Sequence, residues 1–124
     1  MRAAETAKTI KKAFDKEKNI IFDDNLLEVD LSEWSGLRID EIKKKFPEIY
    51  PVWKNDPENL ILKRNDNKTY KPIQELFFQA TNFVEDILKI YLDKDDVNIL
   101  VVGHNAILRC LILLLLGKPK QGFR

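Results

Sequence analysis

A short apolar run, Ile99-Leu100-Val101-Val102, is broken by Gly103 and followed almost at once by a second apolar stretch. Such a run, rich in β-branched residues and free of polar alternation, suits a strand buried on both faces of a parallel sheet. Residues 106–116 then read as a helix that ends at Gly117 and Pro119. Strand, glycine and helix in that order form the repeating unit of layered α/β folds. The unit sets His104 and Asn105 at the carboxyl end of a strand and beside a helix N-terminus. Open α/β sheets bind ligands at that edge, and helix N-termini favour anions. His104, the single histidine of the chain, is thereby a candidate for a phosphate site.

The remaining elements fit the same class. Residues 2–16 read as an amphipathic helix with Ala3, Ala7, Ile10 and Phe14 on one stripe. Asn19-Ile20-Ile21-Phe22 reads as a second strand, closed by the turn residues Asp23-Asp24-Asn25. Residues 26–36 lack a clear period and read as a loop packed on the body. Ile39, Ile42 and Phe46 mark a short helix that Pro47 stops. Residues 49–70, with Pro51, Pro57 and four asparagines, are the least regular, which predicts a cap or lid over a site. Pro72 opens a long helix whose apolar face runs through Ile73, Leu76, Phe77, Ala80, Phe83, Val84, Ile87, Leu88 and Tyr91. Two strands are too few for a stable sheet. The first helix begins uncapped at Met1 and the chain stops just past a helix. The expectation is one partial domain over residues 1–124, part of a three-layer α/β/α fold with a mainly parallel sheet.

Composition narrows the function. With 21 basic and 20 acidic residues the net charge is +1, which gives no support for a nucleic-acid surface. Lysines interleave with acids through the first 18 residues, so no secretory signal is read there. Residues 99–116 have the length of a membrane span but contain His104, Asn105 and Arg109, which are costly in hydrocarbon. The expectation is a soluble, cytoplasmic protein. Cys110 stands alone, excludes an internal disulfide and reads as a buried small residue on a core helix. One histidine and one cysteine supply no metal-ligand set, so no metal or other cofactor is expected. Phosphate-cradling Gly-rich loops and a Gly-x-Ser-x-Gly elbow are both missing.

The chemical candidates are thus His104, Glu28 with Asp30, Arg2 and Arg109. Glu28 lies in a mostly apolar stretch, an environment suited to a proton donor. Arg2 is able to grip an anion with two parallel hydrogen bonds.

Three segments together carry a resemblance. Arg2-Ala3-Ala4-Glu5-Thr6-Ala7, Leu26-Leu27-Glu28-Val29-Asp30-Leu31-Ser32-Glu33-Trp34-Ser35-Gly36 and Val101-Val102-Gly103-His104-Asn105-Ala106-Ile107-Leu108-Arg109 resemble, in order, three motifs of the histidine phosphatase superfamily, phosphoglycerate mutase-like branch. The resemblance implies a phosphohistidine mechanism in which a first histidine, within Arg-His-Gly, attacks phosphorus. His104 matches the second histidine, which neutralises the phosphoryl oxygens, and Arg2 an arginine that grips them. Asn105 offers its backbone N–H, and Glu28 matches the acid that protonates the leaving alcohol. Arg109, one turn on, reads as a residue of the helix face and not a direct ligand.

The departures are equally specific. Arg-His-Gly does not occur in the 124 residues. The resemblance implies that this motif lies upstream of the matched segments and that the family's last strands are missing as well. Ser32 stands where glycine is usual, and Gln79-Ala80 replaces a frequent Arg-Ala pair on the long helix. The expected function is a phosphomonoesterase for a small phosphorylated metabolite, here as a truncated and inactive form. The alternatives are a nucleophile-free phosphate-binding or regulatory module, a phosphoglycerate mutase, and a structural remnant. No nucleic-acid or membrane partner is expected, and the oligomeric state is left open.

Overall fold

Pro72 opens the long helix that carries one side of the larger apolar cluster. In the computed structural model, which describes residues 2–14, 18–118 and 120–123, this helix spans Pro72–Tyr91. Proline suits its first turn, where the missing N–H has no partner to lose. Ile73, Leu76, Phe77, Ala80 and Phe83 recur at helical spacing and are buried. They meet Ile107, Cys110 and Leu111 from the last helix, Asn105–Leu115, and Phe123 from the 3-10 turn Lys120–Phe123. Gly117 ends that last helix at φ +62°. Its N–H donates to the Leu114 carbonyl at 3.1 Å and the Lys118 N–H to the Leu113 carbonyl at 2.8 Å. These two bonds make a Schellman stop, and glycine reaches the left-handed backbone at least cost.

In chain order the helices are α1 (Arg2–Phe14), α2 (Ile39–Lys45), α3 (Tyr50–Asn55), α4 (Pro72–Tyr91) and α5 (Asn105–Leu115). The only sheet among the described residues is an antiparallel hairpin of β1 (Leu62–Lys63) and β2 (Thr69–Tyr70), paired Leu62 to Tyr70 and Lys63 to Thr69. Leu62 and Tyr70 face inward and Lys63 and Thr69 outward, the two-residue alternation of a one-sided sheet. The inward pair joins Trp34, Ile42 and Leu60 in a second apolar cluster. Trp53 packs against both clusters. Residues 49–70 are therefore organised, containing α3, the 3-10 turn Pro57–Asn59 and the hairpin.

Two expectations are corrected. Residues 19–22 and 99–102 form no strand. Leu100 is 69% exposed, where burial on both faces was expected, and Phe22 is 67% exposed. A strand exists only through a paired neighbour, and no ladder joins these segments to any other among the described residues. The parallel sheet is accordingly not seen there. The α1 stripe is half-buried at Ala3, Ala7 and Ile10, Phe14 is exposed, and no described residue of α1 is fully buried. Of the first predicted helix, residues 15 and 16 lie outside the described residues. Among those described, no helix is long and apolar enough to cross a membrane.

Candidate active site

The structure brings Glu28 to the start of α5. His104 occupies the N-cap with extended backbone (φ −95°, ψ 167°) and makes no side-chain cap to its own helix. Its carbonyl accepts the first intrahelical bond, from the Leu108 N–H at 3.1 Å. The first N–H groups of a helix lack intrahelical acceptors and carry the positive end of its dipole. One of them, on Ala106, donates to Glu28 Oε2 at 3.3 Å, across 78 residues of sequence. Glu28 Oε1 accepts from the Val29 N–H at 2.9 Å. The carboxylate thus serves as the cap that His104 does not, and the acid and the histidine share one helix end.

Local chemistry holds Glu28 in place. Asp23 Oδ1 accepts from the Asn25 N–H at 2.8 Å and starts the 3-10 turn Asp24–Leu26, the ordinary service of an aspartate before a turn. Leu26 and Val29 pack on the α4–α5 core on either side of Glu28. The amide of Gln79, on α4, donates to the Leu27 carbonyl at 3.3 Å and reaches the Asn25 carbonyl at 3.5 Å. Beyond Glu28, the Asp30 carbonyl accepts from the Tyr70 hydroxyl at 2.8 Å, and the Lys63 N–H donates to Glu33 Oε1 at 3.1 Å. The hairpin and the loop after Glu28 are therefore tied together. Between them lies an open cleft of about 510 Å³ lined by Asp30, Ser32, Ser35, Arg64, Asn65 and Asp66. A larger groove of about 650 Å³ opens at the other end of α5, beside Phe78 and Leu114, and includes none of the candidate residues.

Under the site lies Cys110, fully buried one turn and a half into α5. Burial, and then the nearby Glu28 carboxylate, push its thiol up to about 12, against an opposing pull from Arg109. Arg109 itself turns away: its Nη1 donates to the Phe123 carbonyl at 2.9 Å, and the guanidinium sits 5.2 Å from the Phe123 ring. Asn105 is exposed at the first position of α5. Arg2 is exposed at the start of α1, where its backbone carbonyl accepts from Thr6 Oγ1 at 3.0 Å. Of the predicted set, Glu28, His104 and Asn105 are brought together at the start of α5, whereas Arg2 stands exposed on α1. Gln79 was visible only as a departure from the family pattern. Among the described residues, no three His, Cys, Asp or Glu side chains are grouped to hold a metal ion.

A carboxyl group and a histidine thus meet at the N-terminus of one helix. The sequence agrees: it matches the family model of the histidine phosphatase superfamily, branch 1, over residues 1–124. The chain belongs to that superfamily, whose fold is α/β. It is 33% identical over 109 residues to a probable 2-carboxy-D-arabinitol-1-phosphatase of Arabidopsis thaliana, covering 88% of this chain and 21% of that protein. It is 25% identical over 108 residues to phosphoserine phosphatase 1 of Hydrogenobacter thermophilus, covering 87% of this chain and 47% of that one. A 2-carboxy-D-arabinitol-1-phosphatase of Triticum aestivum is 29% identical over 109 residues, 88% of this chain and 20% of the relative. The chain thus spans between a fifth and a half of the length of these curated relatives.

Proposed function

We propose that the chain carries the proton-donor and second-histidine half of a phosphomonoesterase site, for a small phosphorylated metabolite, on a histidine phosphatase-type fold. The observation that carries the proposal is the 3.3 Å bond from the Ala106 N–H to Glu28, which sets the acid beside His104 at an anion-favouring helix end. Phosphoryl transfer asks little of a protein beyond alignment and preplaced positive charge. In this reading His104, when protonated, and the first N–H groups of α5, including that of Asn105, face the phosphoryl oxygens. Arg2 adds its guanidinium when α1 is drawn to the site. Glu28 in its acid form hands a proton to the leaving alcohol oxygen as the P–O bond breaks. That form also accepts more weakly from the Ala106 N–H, which is then more readily shared with phosphate. The cleft between the hairpin and the loop after Glu28 shapes the non-phosphate part of the substrate, and residues 49–70 act as the cap.

A phosphohistidine route needs a nucleophilic histidine as well as the one that steadies the phosphoryl group. The 124 residues contain one histidine, so on their own they do not turn over. The same fact supports a second reading, a module that binds phosphate without hydrolysing it. Hydrolysis of an aryl phosphate by the purified chain separates these from a self-sufficient enzyme. The expected rate equals the buffer blank, and turnover abolished by His104→Ala would overturn the assignment of roles.

A further inference from the structure

We propose that Gln79 is a positioning residue for Glu28; the functional weight of this rests on the site proposed above, but its geometry does not. Gln79 lies on α4, half-buried beside the apolar face that packs on α5. Its Nε2 reaches two carbonyls of one short loop, Asn25 at 3.5 Å and Leu27 at 3.3 Å. A primary amide has two N–H groups, one for each carbonyl. Leu27 directly precedes Glu28, so the tether ends one peptide from the carboxyl-bearing residue.

The other restraints on the loop leave it this task. Leu26 and Val29 pack on the core and fix the depth of the loop. Apolar contacts are non-directional and do not fix the twist of the backbone between them. The Asp23 cap orders the turn but lies three residues before Leu26 and five before Glu28. Glu28 must span from this loop to the Ala106 N–H, 78 residues away, at 3.3 Å. At that length a small rotation about the Leu27–Glu28 peptide breaks the bond. The Gln79 amide holds that peptide from the α4 side while Ala106 meets the carboxylate from the α5 side. The α4–α5 packing thereby sets the distance between the loop and the helix end.

The chemistry of the side chain allows an isosteric test. Gln79→Glu keeps shape and length but, ionised, has no N–H and faces two carbonyl oxygens with a negative charge. Gln79→Arg keeps donors and reach. The readout is the amide proton shift of Ala106 at neutral pH, measured against Glu28→Ala, which removes the acceptor. Gln79→Glu is expected to lose more than half of the difference between the native chain and Glu28→Ala, and Gln79→Arg to retain more than half. Amide exchange at Ile107, Cys110 and Leu111 reports the core and is expected to change less than about tenfold in both variants, a difference of roughly 1.4 kcal/mol. An unmoved Ala106 shift in Gln79→Glu overturns the proposal. So does core exchange accelerated in step with the shift, because the amide would then be holding the fold and not the acid. Inorganic phosphate added to the native chain tests the functional reading separately. Absence of a response at Asn105 and Ala106 defeats that reading, and the Gln79→Glu shift still decides the tether.

Discussion

Ser32 adopts φ +36°, on the left-handed side of the backbone map, at the position where the resembling motif carries glycine. A side chain with a Cβ held there costs about 1–2 kcal/mol. Glycine removes that cost but adds about 0.4–1 kcal/mol of unfolded-chain entropy. The Ser32 hydroxyl also acts on Tyr70, where it opposes the upward push of burial, so a direct comparison of serine with glycine mixes two effects. Ser32→Ala and Ser32→Gly both lack the hydroxyl and isolate the backbone. The bonds from the Ser32 N–H to Asp30 Oδ1 at 2.8 Å and from the Ser35 N–H to the Ser32 carbonyl at 2.9 Å survive in both. The expected order is Gly above Ala by about 0.5–1 kcal/mol, read as a midpoint about 2–5 °C higher in a thermal melt. At an ordinary position the sign is reversed, since glycine is the less stable of the two. Ala melting at or above Gly refutes the strain at Ser32.

Three further outcomes follow from the packing. Ile107→Ala, at a fully buried position between α4 and α5, is expected to cost about 2–5 kcal/mol in a urea titration; a loss below ~1 kcal/mol contradicts the core as drawn. Gly36 sits at φ +79° with open space where a Cβ would stand, so Gly36→Ala is expected to cost about 0.5–1 kcal/mol net, backbone strain less the unfolded-chain entropy that alanine saves, and an unchanged melt refutes it. The Cys110 thiol, pushed up to about 12 by burial and then by Glu28, has a folded value above its ordinary one of 9.0. The folded state therefore holds the proton longer, and the stability this gives is complete below pH ~9 and drains away as pH rises toward ~12. The stability gap between the native chain and Cys110→Ala is expected to narrow over that window. A gap constant with pH contradicts the placement. At pH 8, alkylation of the thiol is expected only as fast as the chain opens.

The parts legible in the sequence were those fixed by neighbours three or four residues away. The α4 face from Ile73 to Phe83 and the glycine stop at Gly117 depend on helical period and on one left-handed residue, and both are local. Cys110 read correctly as core for the same reason, because Ile107 and Leu111 flank it on one face. The runs at 19–22 and 99–102 misled because β-branched residues state a preference for burial, whereas a strand requires a partner that local pattern does not supply. The hairpin was missed for the opposite reason. Its two pairs, Leu62–Tyr70 and Lys63–Thr69, are too short for periodicity to register. The signal present was Asp66-Asn67 between them, with Asn67 at φ +61°, a turn residue suited to that conformation. His104 stands out by its place between an apolar run and a helix and Glu28 by its apolar surroundings, and the order of the motifs gives the two their paired roles. Their meeting at Ala106, and the part played by Gln79, rest on contacts spanning 52 to 78 residues and could not be read from either segment alone.

The central claim is that Glu28 and the His104–Ala106 turn form one phosphate-receiving site. Titration of the isotopically labelled chain with inorganic phosphate, followed at its backbone amides, tests this most directly. The account predicts saturable shifts at Asn105 and Ala106, with Glu28 responding in the same concentration range, and their loss in His104→Ala. Amides at the α5 start that stay unmoved, or that move equally in His104→Ala, would contradict it.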